Sequence, residues 1–286
     1  MNNFKYFYIL VLSLMFCCFS IHKSNAQSAW TKKKGELFSQ ISYTTIPNYS
    51  EIFNENEFFT SRSITDNTIQ LYGEYGLNDN LTLLVNVPFK SIKTGDVIEN
   101  STLPLSIVEA TETRIGNIQV GLKQNIYKGK FVLSGQLNVE ANTSTSNLAS
   151  GIRTGYNAWT FTPTLNIGKG YSNYYFQGFI GADIRTNSYS SNFRIGGEFG
   201  LTSIKKTTLA VFVDVVESFN NGDVVLPITS LETALYINNQ EYGSFGLKGL
   251  YNFTDNFGVS AGFGGAFFAN NVAKQAALSV GLFYKI

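Results

Sequence analysis

Apolar and polar residues alternate along most of this chain, and the C-terminal segment shows the pattern most clearly. Leu278, Val280, Leu282, Tyr284 and Ile286 share one parity, and mostly small or polar residues lie between them. A repeat of two residues is typical of a β-strand with one apolar face. The pattern predicts that the sequence ends on such a strand.

The same alternation recurs in twelve segments of the chain. Each segment is long enough for the roughly 9–11 tilted residues with which a β-strand crosses a bilayer. The segments are Glu36 to Ile46, Asn67 to Leu77, Leu81 to Ile92, Arg114 to Tyr127, Phe131 to Asn142, Asn157 to Ile167, Tyr174 to Thr186, Asn192 to Thr202, Thr208 to Phe219, Tyr242 to Phe253, Phe257 to Phe267 and Ala277 to Ile286. They predict an all-β fold, a 12-stranded antiparallel transmembrane up-and-down β-barrel whose last strand pairs with its first.

The connections between these segments alternate in length. Those after even-numbered strands are short and rich in Asn, Asp, Gly and Lys, as expected for turns. Several of the others are long, namely Pro47 to Ser63, Lys93 to Thr113, Thr143 to Tyr156 and Asn220 to Glu241. This difference predicts periplasmic turns at one end of the barrel and extracellular loops at the other. In the last loop, Val224 to Asn238 is compatible with either a helix or an extra hairpin that enters the lumen.

Aromatic residues on the apolar face form two bands. The band near the short turns comprises Tyr75, Phe131, Tyr174, Phe253, Phe257 and Tyr284, and the band near the long loops comprises Tyr43, Phe89, Trp159, Phe193, Phe219 and Phe267. Two such bands are typical of the aromatic girdles of membrane barrels. About eight strands enclose an interior that side chains can fill. A barrel of twelve strands with an apolar interior would contain a void, so we predict apolar residues facing lipid and polar residues facing the lumen.

The N-terminal residues differ from the rest of the chain. Lys5 precedes the apolar run Tyr6 to Phe19, and Ser24-Asn25-Ala26 has the small-x-small pattern of a cleavage site. These features predict a secretory signal peptide over residues 1–26 and a barrel over residues 27–286. No long apolar run follows, so no helical membrane span is expected.

Removing the signal peptide excludes several kinds of site. Both cysteines and the single histidine, His22, lie within it. The remainder therefore cannot form a disulfide, a Cys/His zinc site or a Ser-His-Asp triad. Without Lys5 and Lys23, 19 basic residues remain against 20 acidic ones, a net charge of −1. Since no basic block occurs, the sequence does not predict nucleic-acid binding. It contains no motif that predicts a cofactor or a metal site.

Charged residues occur on the polar parity of several segments, where they would line the lumen. They are Glu74, Lys90, Lys123, Glu140, Asp183, Arg185, Arg194, Glu198, Asp214 and Lys248. One interpretation is a mixed-charge constriction that selects polar or weakly charged solutes. The other is a network of paired charges that braces or plugs the lumen. The acidic residues lie in separate hairpins without a catalytic motif, so an enzyme is not predicted.

Two stretches resemble a known family. Leu71 to Leu81, with the sequence LYGEYGLNDNL, looks like its strand-turn-strand hairpin. Arg114 to Lys123 is similar to its Gly-Asp-x-x-x-Gly-x-Lys strand, with Asn117 where aspartate is usual. The family is the outer-membrane barrel group named for a phenol-degradation (meta-pathway) operon, related to transporters of hydrophobic compounds. The resemblance spans roughly residues 65–130 and implies a transport-type barrel.

Three functional hypotheses follow. The first is an outer-membrane channel of a Gram-negative bacterium for passive uptake of small solutes, including hydrophobic or aromatic ones. The second is a structural or adhesive surface barrel with a plugged lumen and functional extracellular loops, and the third is a secreted soluble β protein. For the membrane barrels, the expected partners are outer-membrane lipid, the solute, and the barrel-assembly machinery through the C-terminal strand.

Overall fold

The computed structural model describes residues 29–54, 58–95 and 109–286. The predicted signal peptide, residues 1–26, lies outside the described residues. Within them the chain is almost entirely β-structure, joined by short turns at one end and long connections at the other.

The described residues form sixteen strands and one short helix. The strands are β1 (Leu37–Phe53), β2 (Phe58–Asn78), β3 (Leu81–Thr94), β4 (Ala110–Ile115), β5 (Gln119–Lys128), β6 (Val132–Glu140), β7 (Ser146–Asn147), β8 (Ile152–Arg153), β9 (Thr160–Gly170), β10 (Tyr174–Arg185), β11 (Asn192–Leu201), β12 (Thr207–Ser218), β13 (Glu241–Asn252), β14 (Phe257–Asn270), β15 (Val272–Ala273) and β16 (Ala277–Lys285), and the helix is α1 (Ile228–Leu231). No helix in the described residues is long and apolar enough to cross a membrane.

The sheet closes on itself into a barrel whose wall has twelve strand positions, here called staves. Consecutive staves pair antiparallel, with β4 and β5 sharing one stave beside β3. The last strand, β16, pairs with β1, for example Leu282 opposite Ile41, so the sheet has no free edge. The predicted 12-stranded antiparallel barrel is confirmed.

Two strands are longer than the sequence pattern indicated. Pro47 to Ser63 was expected to be a loop, but most of it continues the hairpin of β1 and β2, with Glu51 opposite Phe59. Proline cannot donate to the ladder, and bulges commonly accommodate such positions. Here the register shifts between Ile46 and Tyr49, and Asn48 has a φ of 45°. The bulge therefore allows the hairpin to extend beyond the proline.

The predicted fourth strand, Arg114 to Tyr127, is interrupted between β4 and β5. A Cβ on Gly116 would lie 2.8 Å from the carbonyl oxygen of Thr154, so the following long loop packs directly against this point. The side chain of Asn117 donates hydrogen bonds to Glu140 and to the carbonyl of Tyr156. The strand is therefore interrupted where the side chain of Asn117 bonds to an inward-folded loop, although the amide of Gly116 still donates to the carbonyl of Pro88 on β3.

The apolar parity faces outward, as predicted. Leu122, Leu247 and Val280 are about half exposed on the outer surface, whereas Glu74 and Lys123 on the other parity are buried. Exposed aromatic side chains lie near both ends of the staves, including Tyr284 by the short turns and others by the long loops. A wide apolar band between aromatic girdles is the surface that hydrocarbon stabilises.

Candidate functional site: the barrel interior

The periplasmic end of the lumen contains residues 29–36, here called the N-terminal segment. The carbonyl of Ala29 accepts a hydrogen bond from Ser134 at 2.8 Å, and the amide of Lys32 donates to Thr82 at 2.8 Å. Both hydroxyl side chains are fully buried and project inward from β6 and β3. The N-terminal segment therefore lies inside the barrel rather than beneath it.

Side chains of the N-terminal segment also contact the wall. The indole of Trp30 packs edge-on against Tyr175, with ring centroids 6.1 Å apart. The ammonium of Lys32 lies 3.6 Å from the carboxylate of Glu74, which is also 3.6 Å from Lys123. The segment thus connects β2 on one side of the lumen with β10 on the other.

The extracellular end contains residues 219–240, here called the cap, which connect β12 to β13. Only α1 within it is regular, so the helix alternative for Val224 to Asn238 is found, reduced to a single turn. Thr233, Leu235 and Ile237 of the cap are buried. Burial of this stretch means that the loop folds into the mouth of the barrel instead of projecting from it.

An apolar cluster holds the cap in this mouth. Leu235 packs with Tyr49, Ile64, Ile92 and Ile152, all of them buried. These residues come from β1, β2, β3 and β8, so the cluster joins the cap to three staves and to the inward-folded loop. A shared apolar core of this kind gives the cap stability that an isolated loop would lack.

Hydrogen bonds add to this packing. The phenol of Tyr49 donates to the carbonyl of Thr233 at 2.6 Å, and the Thr233 hydroxyl donates to the carbonyl of Gly151 at 3.1 Å. The phenol of Tyr156 donates to the side chain of Gln240 at 2.6 Å. The cap is therefore bonded at both its centre and its C-terminal end.

A buried arginine lies beneath the cap. Arg62, in the extracellular extension of β2, is 0% exposed, and its guanidinium donates to the carbonyl of Ser150 and to the hydroxyl of Thr94. Burial lowers the pKa of Arg62, and the carboxylate of Glu232 in the cap acts in the opposite direction. That carboxylate also accepts a hydrogen bond from the amide of Ser61 at 3.3 Å. Cap, loop and β2 are thus coupled through polar groups removed from water.

Three tyrosines around the cap are held in the neutral form. Burial raises the pKa of Tyr49, Tyr156 and Tyr236 above the ordinary tyrosine value. The cause is the cost of placing a phenolate where water cannot reach it. The cap environment therefore becomes unfavourable at strongly alkaline pH.

Between the N-terminal segment and the cap lies a chamber with a volume of about 310 Å³. Of the predicted lumen residues, those on its wall are Lys123, Arg194, Glu198, Asp214 and Lys248. A neighbouring pocket of about 240 Å³ shares Tyr72 and Lys248 with this chamber. The two spaces lie side by side across the inner face of the barrel.

Most of the predicted lumen charges are paired. The closest oppositely charged atoms are 3.6 Å apart for Lys123 and Glu74, 3.6 Å for Arg185 and Asp183, 3.4 Å for Arg194 and Asp183, 2.8 Å for Lys248 and Glu198, and 2.7 Å for Lys90 and Asp66. Glu140 instead accepts a hydrogen bond from Asn117 at 2.9 Å. An aspartate at position 117 would place two carboxylates together, so the amide is the compatible residue here.

The sequence pattern did not single out the aromatic residues of the inner wall. Tyr72, Phe179 and Phe212 lie on the polar parity and line the chamber. The sequence did contain a signal for them, because each lies on the polar parity between lipid-facing neighbours. Phe212, for example, lies between Val211 and Val213. The described residues contain no group of three or more His, Cys, Asp or Glu side chains that could hold a metal ion.

Comparison with known proteins supports the fold. An outer membrane channel from Pseudomonas putida F1 superposes with a TM-score of 0.68 at 15% sequence identity, covering 92% of this chain and 100% of that one. The translocator domain of the autotransporter NalP from Neisseria meningitidis superposes with a TM-score of 0.50 at 11% identity, covering 89% of this chain and 90% of that one. No protein-family model and no curated protein matches the sequence. The chain shares the barrel fold of these outer-membrane proteins, and its outer surface carries an apolar band.

Proposed function

We propose that this protein is a channel for the passive diffusion of small solutes across the outer membrane. The observation that carries the proposal is the polar chamber enclosed by a lipid-facing barrel. A closed barrel of this size is wider than its own side chains need, so its interior is available to solutes. The charged side chains of the chamber wall would act on the solute as it passes.

The two segments inside the lumen supply the gates in this proposal. Residues 29–34 and the cap lie outside the barrel ladder, and side-chain contacts help to hold both, whereas Gly35 and Glu36 bond to Gly76 of β2 through the backbone. Such segments open at lower cost than strands whose hydrogen bonds close the barrel. Solute would enter when the cap moves and leave when the N-terminal segment moves.

Planar-bilayer recording of the purified barrel tests the channel. We expect discrete single-channel currents, and we expect larger ones when residues 224–238 of the cap are replaced by a short Gly-Ser linker. Val213→Ala is the matched control, since this side chain faces lipid on β12. If neither the native chain nor the cap-replaced chain carries current or solute, the channel proposal is wrong.

A second candidate function is a structural or adhesive surface barrel with a plugged lumen. The buried packing of the cap, with fully buried Arg62 beneath it, favours this alternative. Deleting 220–241 should then abolish a surface phenotype, such as attachment to a substratum, while solute permeability stays unchanged. Increased permeability with unchanged attachment would favour the channel.

Export and membrane assembly complete the proposal. Residues 1–26 would direct secretion and be removed, and the apolar C-terminal strand would be recognised by the barrel-assembly machinery. Glu74, Asp183 and Glu198 each form an ion pair with a neighbouring cation, so we propose a transport role for the lumen and no catalytic one. Mass spectrometry of the membrane-extracted protein tests the first point by locating its N-terminus.

A further inference from the structure

We infer that the chamber is a binding site for a neutral polyhydroxylated solute about the size of one sugar ring. This inference rests on the proposed channel function and names its substrate class. The hydrophobic and aromatic compounds implied by the family resemblance are a different class. Three features of the chamber wall support the inference: compensated charge, a set of hydrogen-bonding groups, and the aromatic side chains of Phe179 and Phe212, with Arg194 5.9 Å and Lys248 4.7 Å from their respective ring centroids.

Charge compensation argues against an ionic solute. Lys248 lies 2.8 Å from Glu198, whose carboxylate also accepts hydrogen bonds from Tyr175 at 2.7 Å and Gln177 at 2.9 Å. Arg194 is 3.4 Å from Asp183, and Lys123 shares the Glu74 carboxylate with Lys32. Opposite charges in close pairs largely cancel at a distance. An anionic solute would therefore have to break an existing pair, and a cationic solute would meet the positive charges of Lys248 and Arg194 beside the carboxylate of Asp214.

The remaining polar groups suit hydroxyls. Besides the groups already bonded to Glu198 and Asp183, the chamber is lined by the amides of Gln119, Gln136, Asn138 and Asn166 and by the hydroxyl of Thr164. Each amide presents both donors and an acceptor, and each hydroxyl can serve as either. A sugar hydroxyl has the same dual capacity and can bond to any of them. An apolar solute would displace water from these groups without replacing its hydrogen bonds, which is unfavourable.

Aromatic rings provide an apolar surface on the same wall. A Cβ on Gly196 would lie 2.6 Å from the ring of Phe179, and one on Gly246 would lie 2.3 Å from the ring of Phe212. Glycine at these strand positions lets the rings approach the backbone. The face of a sugar ring carries C–H groups that pack on an aromatic ring while its hydroxyls point outward.

Asp214 completes the site. Its carboxylate lies on the chamber wall without an ion pair within 4.0 Å among the residues the structure describes, and the positive charges of Lys248 and Arg194 act on it from farther away. A Cβ on Gly196 would lie 2.2 Å from its Oδ1, so this glycine leaves the space that the carboxylate occupies. The two oxygens of a carboxylate can accept hydrogen bonds from two adjacent hydroxyls. That pairing recognises a diol and offers nothing to a hydrocarbon.

The test uses proteoliposomes containing the full-length mature barrel. Entry rates above those of protein-free liposomes are measured for glucose, glycine, benzoate and toluene, because toluene crosses lipid unaided. Glucose block of the single-channel current gives its apparent affinity. We expect saturable glucose entry and a glucose-dependent block. In Asp214→Asn and in Phe212→Ala, the half-blocking glucose concentration should rise about tenfold, the size expected when one well-placed contact is lost. Val213→Ala, on the same strand but facing lipid, should leave it unchanged.

The outcomes separate the two proposals. Conductance with no glucose block, or with faster entry of glycine, benzoate or toluene than of glucose, overturns the inference and leaves the channel intact. A barrel that passes none of the four solutes and carries no current overturns both. Glucose block that is identical in Asp214→Asn, Phe212→Ala and the native chain also overturns the inference, because the site would then lie elsewhere.

Discussion

The cap and the N-terminal segment both lie inside the barrel, but they are held there differently. The cap shares a buried apolar cluster with β1, β2, β3 and β8, and a fully buried arginine bonds the wall beneath it. The N-terminal segment is held by a few hydrogen bonds, one aromatic contact and the ion pair of Lys32. An apolar core stabilises cooperatively, whereas separate polar contacts can break one at a time. We therefore expect the N-terminal segment, at the periplasmic end, to open more readily than the cap at the extracellular end.

Removing the buried charge should weaken the cap most. Arg62→Met deletes the hydrogen bonds to Ser150 and Thr94 and leaves the buried Ser150 carbonyl without this donor, at a cost of about 3 kcal/mol to cap closure. Cleavage after Glu232 by a glutamate-specific protease should become faster, and the channel should open more often in bilayer recordings. Lys93→Met is the control, because Lys93 and Glu109 form an exposed pair 3.9 Å apart that contributes little. Equal protease resistance of Arg62→Met and the native chain would show that Arg62 does not hold the cap.

Alkaline pH should open the cap. The raised pKa of Tyr49 means that its contribution is complete below the ordinary tyrosine pKa of about 10 and is lost as pH rises above it. Above that pH, the free energy that favours the closed cap should fall by about 1.4 kcal/mol per pH unit for each buried tyrosine that stays neutral in the closed state. Open probability measured from pH 8 to 11 should rise steeply above about 10.

Tyr49→Phe separates this effect from general alkaline damage. The variant loses the hydrogen bond to Thr233, about 1 kcal/mol, and should open more at neutral pH. Its further opening at high pH should be shallower than that of the native chain. An identical slope in both proteins would mean that Tyr49 is not one of the titrating groups.

A small side chain added against the cap should have an intermediate effect. Gly151 has a φ of +69°, and a Cβ there would lie 1.9 Å from the carbonyl oxygen of Thr229. Gly151→Ala should therefore displace the cap at a cost of about 2 kcal/mol, visible as increased hydrogen exchange over residues 229–237. Gly249→Ala, where the nearest atom would be 3.7 Å away, is the control. Unchanged exchange in Gly151→Ala would contradict the tight contact between cap and loop.

The smallest change should act on the other gate. Ser134→Ala removes the hydrogen bond to the carbonyl of Ala29, worth about 1 kcal/mol, and should release the N-terminal segment. Trp30 then leaves Tyr175, so its fluorescence should shift towards that of a solvated indole. Cap proteolysis should stay at the native rate. Loosening of the cap in Ser134→Ala would show that the cap and the N-terminal segment are coupled and do not open independently.

Local pattern determined most of the barrel. Alternation of period two predicted the number of staves and their outward faces. A strand places successive side chains on opposite sides of the sheet, and only apolar side chains are stable against hydrocarbon. Asn, Asp and Gly in short connections located the turns, for example at Asn78-Asp79-Asn80. The alternation did not predict the hairpin extension beyond Pro47. Proline lacks the N–H that a strand ladder needs, and only the bulge between Ile46 and Tyr49 lets the ladder continue past it.

The barrel wall thus follows from the local pattern of residues, whereas the contents of the lumen depend on tertiary contacts. The cap, the N-terminal segment and the partners of Arg62 come from stretches without periodicity, and their contacts join residues as far apart as Ala29 and Gln177. Such contacts depend on the space left by the closed barrel, which no local pattern encodes. The placement of Phe212 and Asp214 beside the chamber likewise follows only once the strands have closed around it.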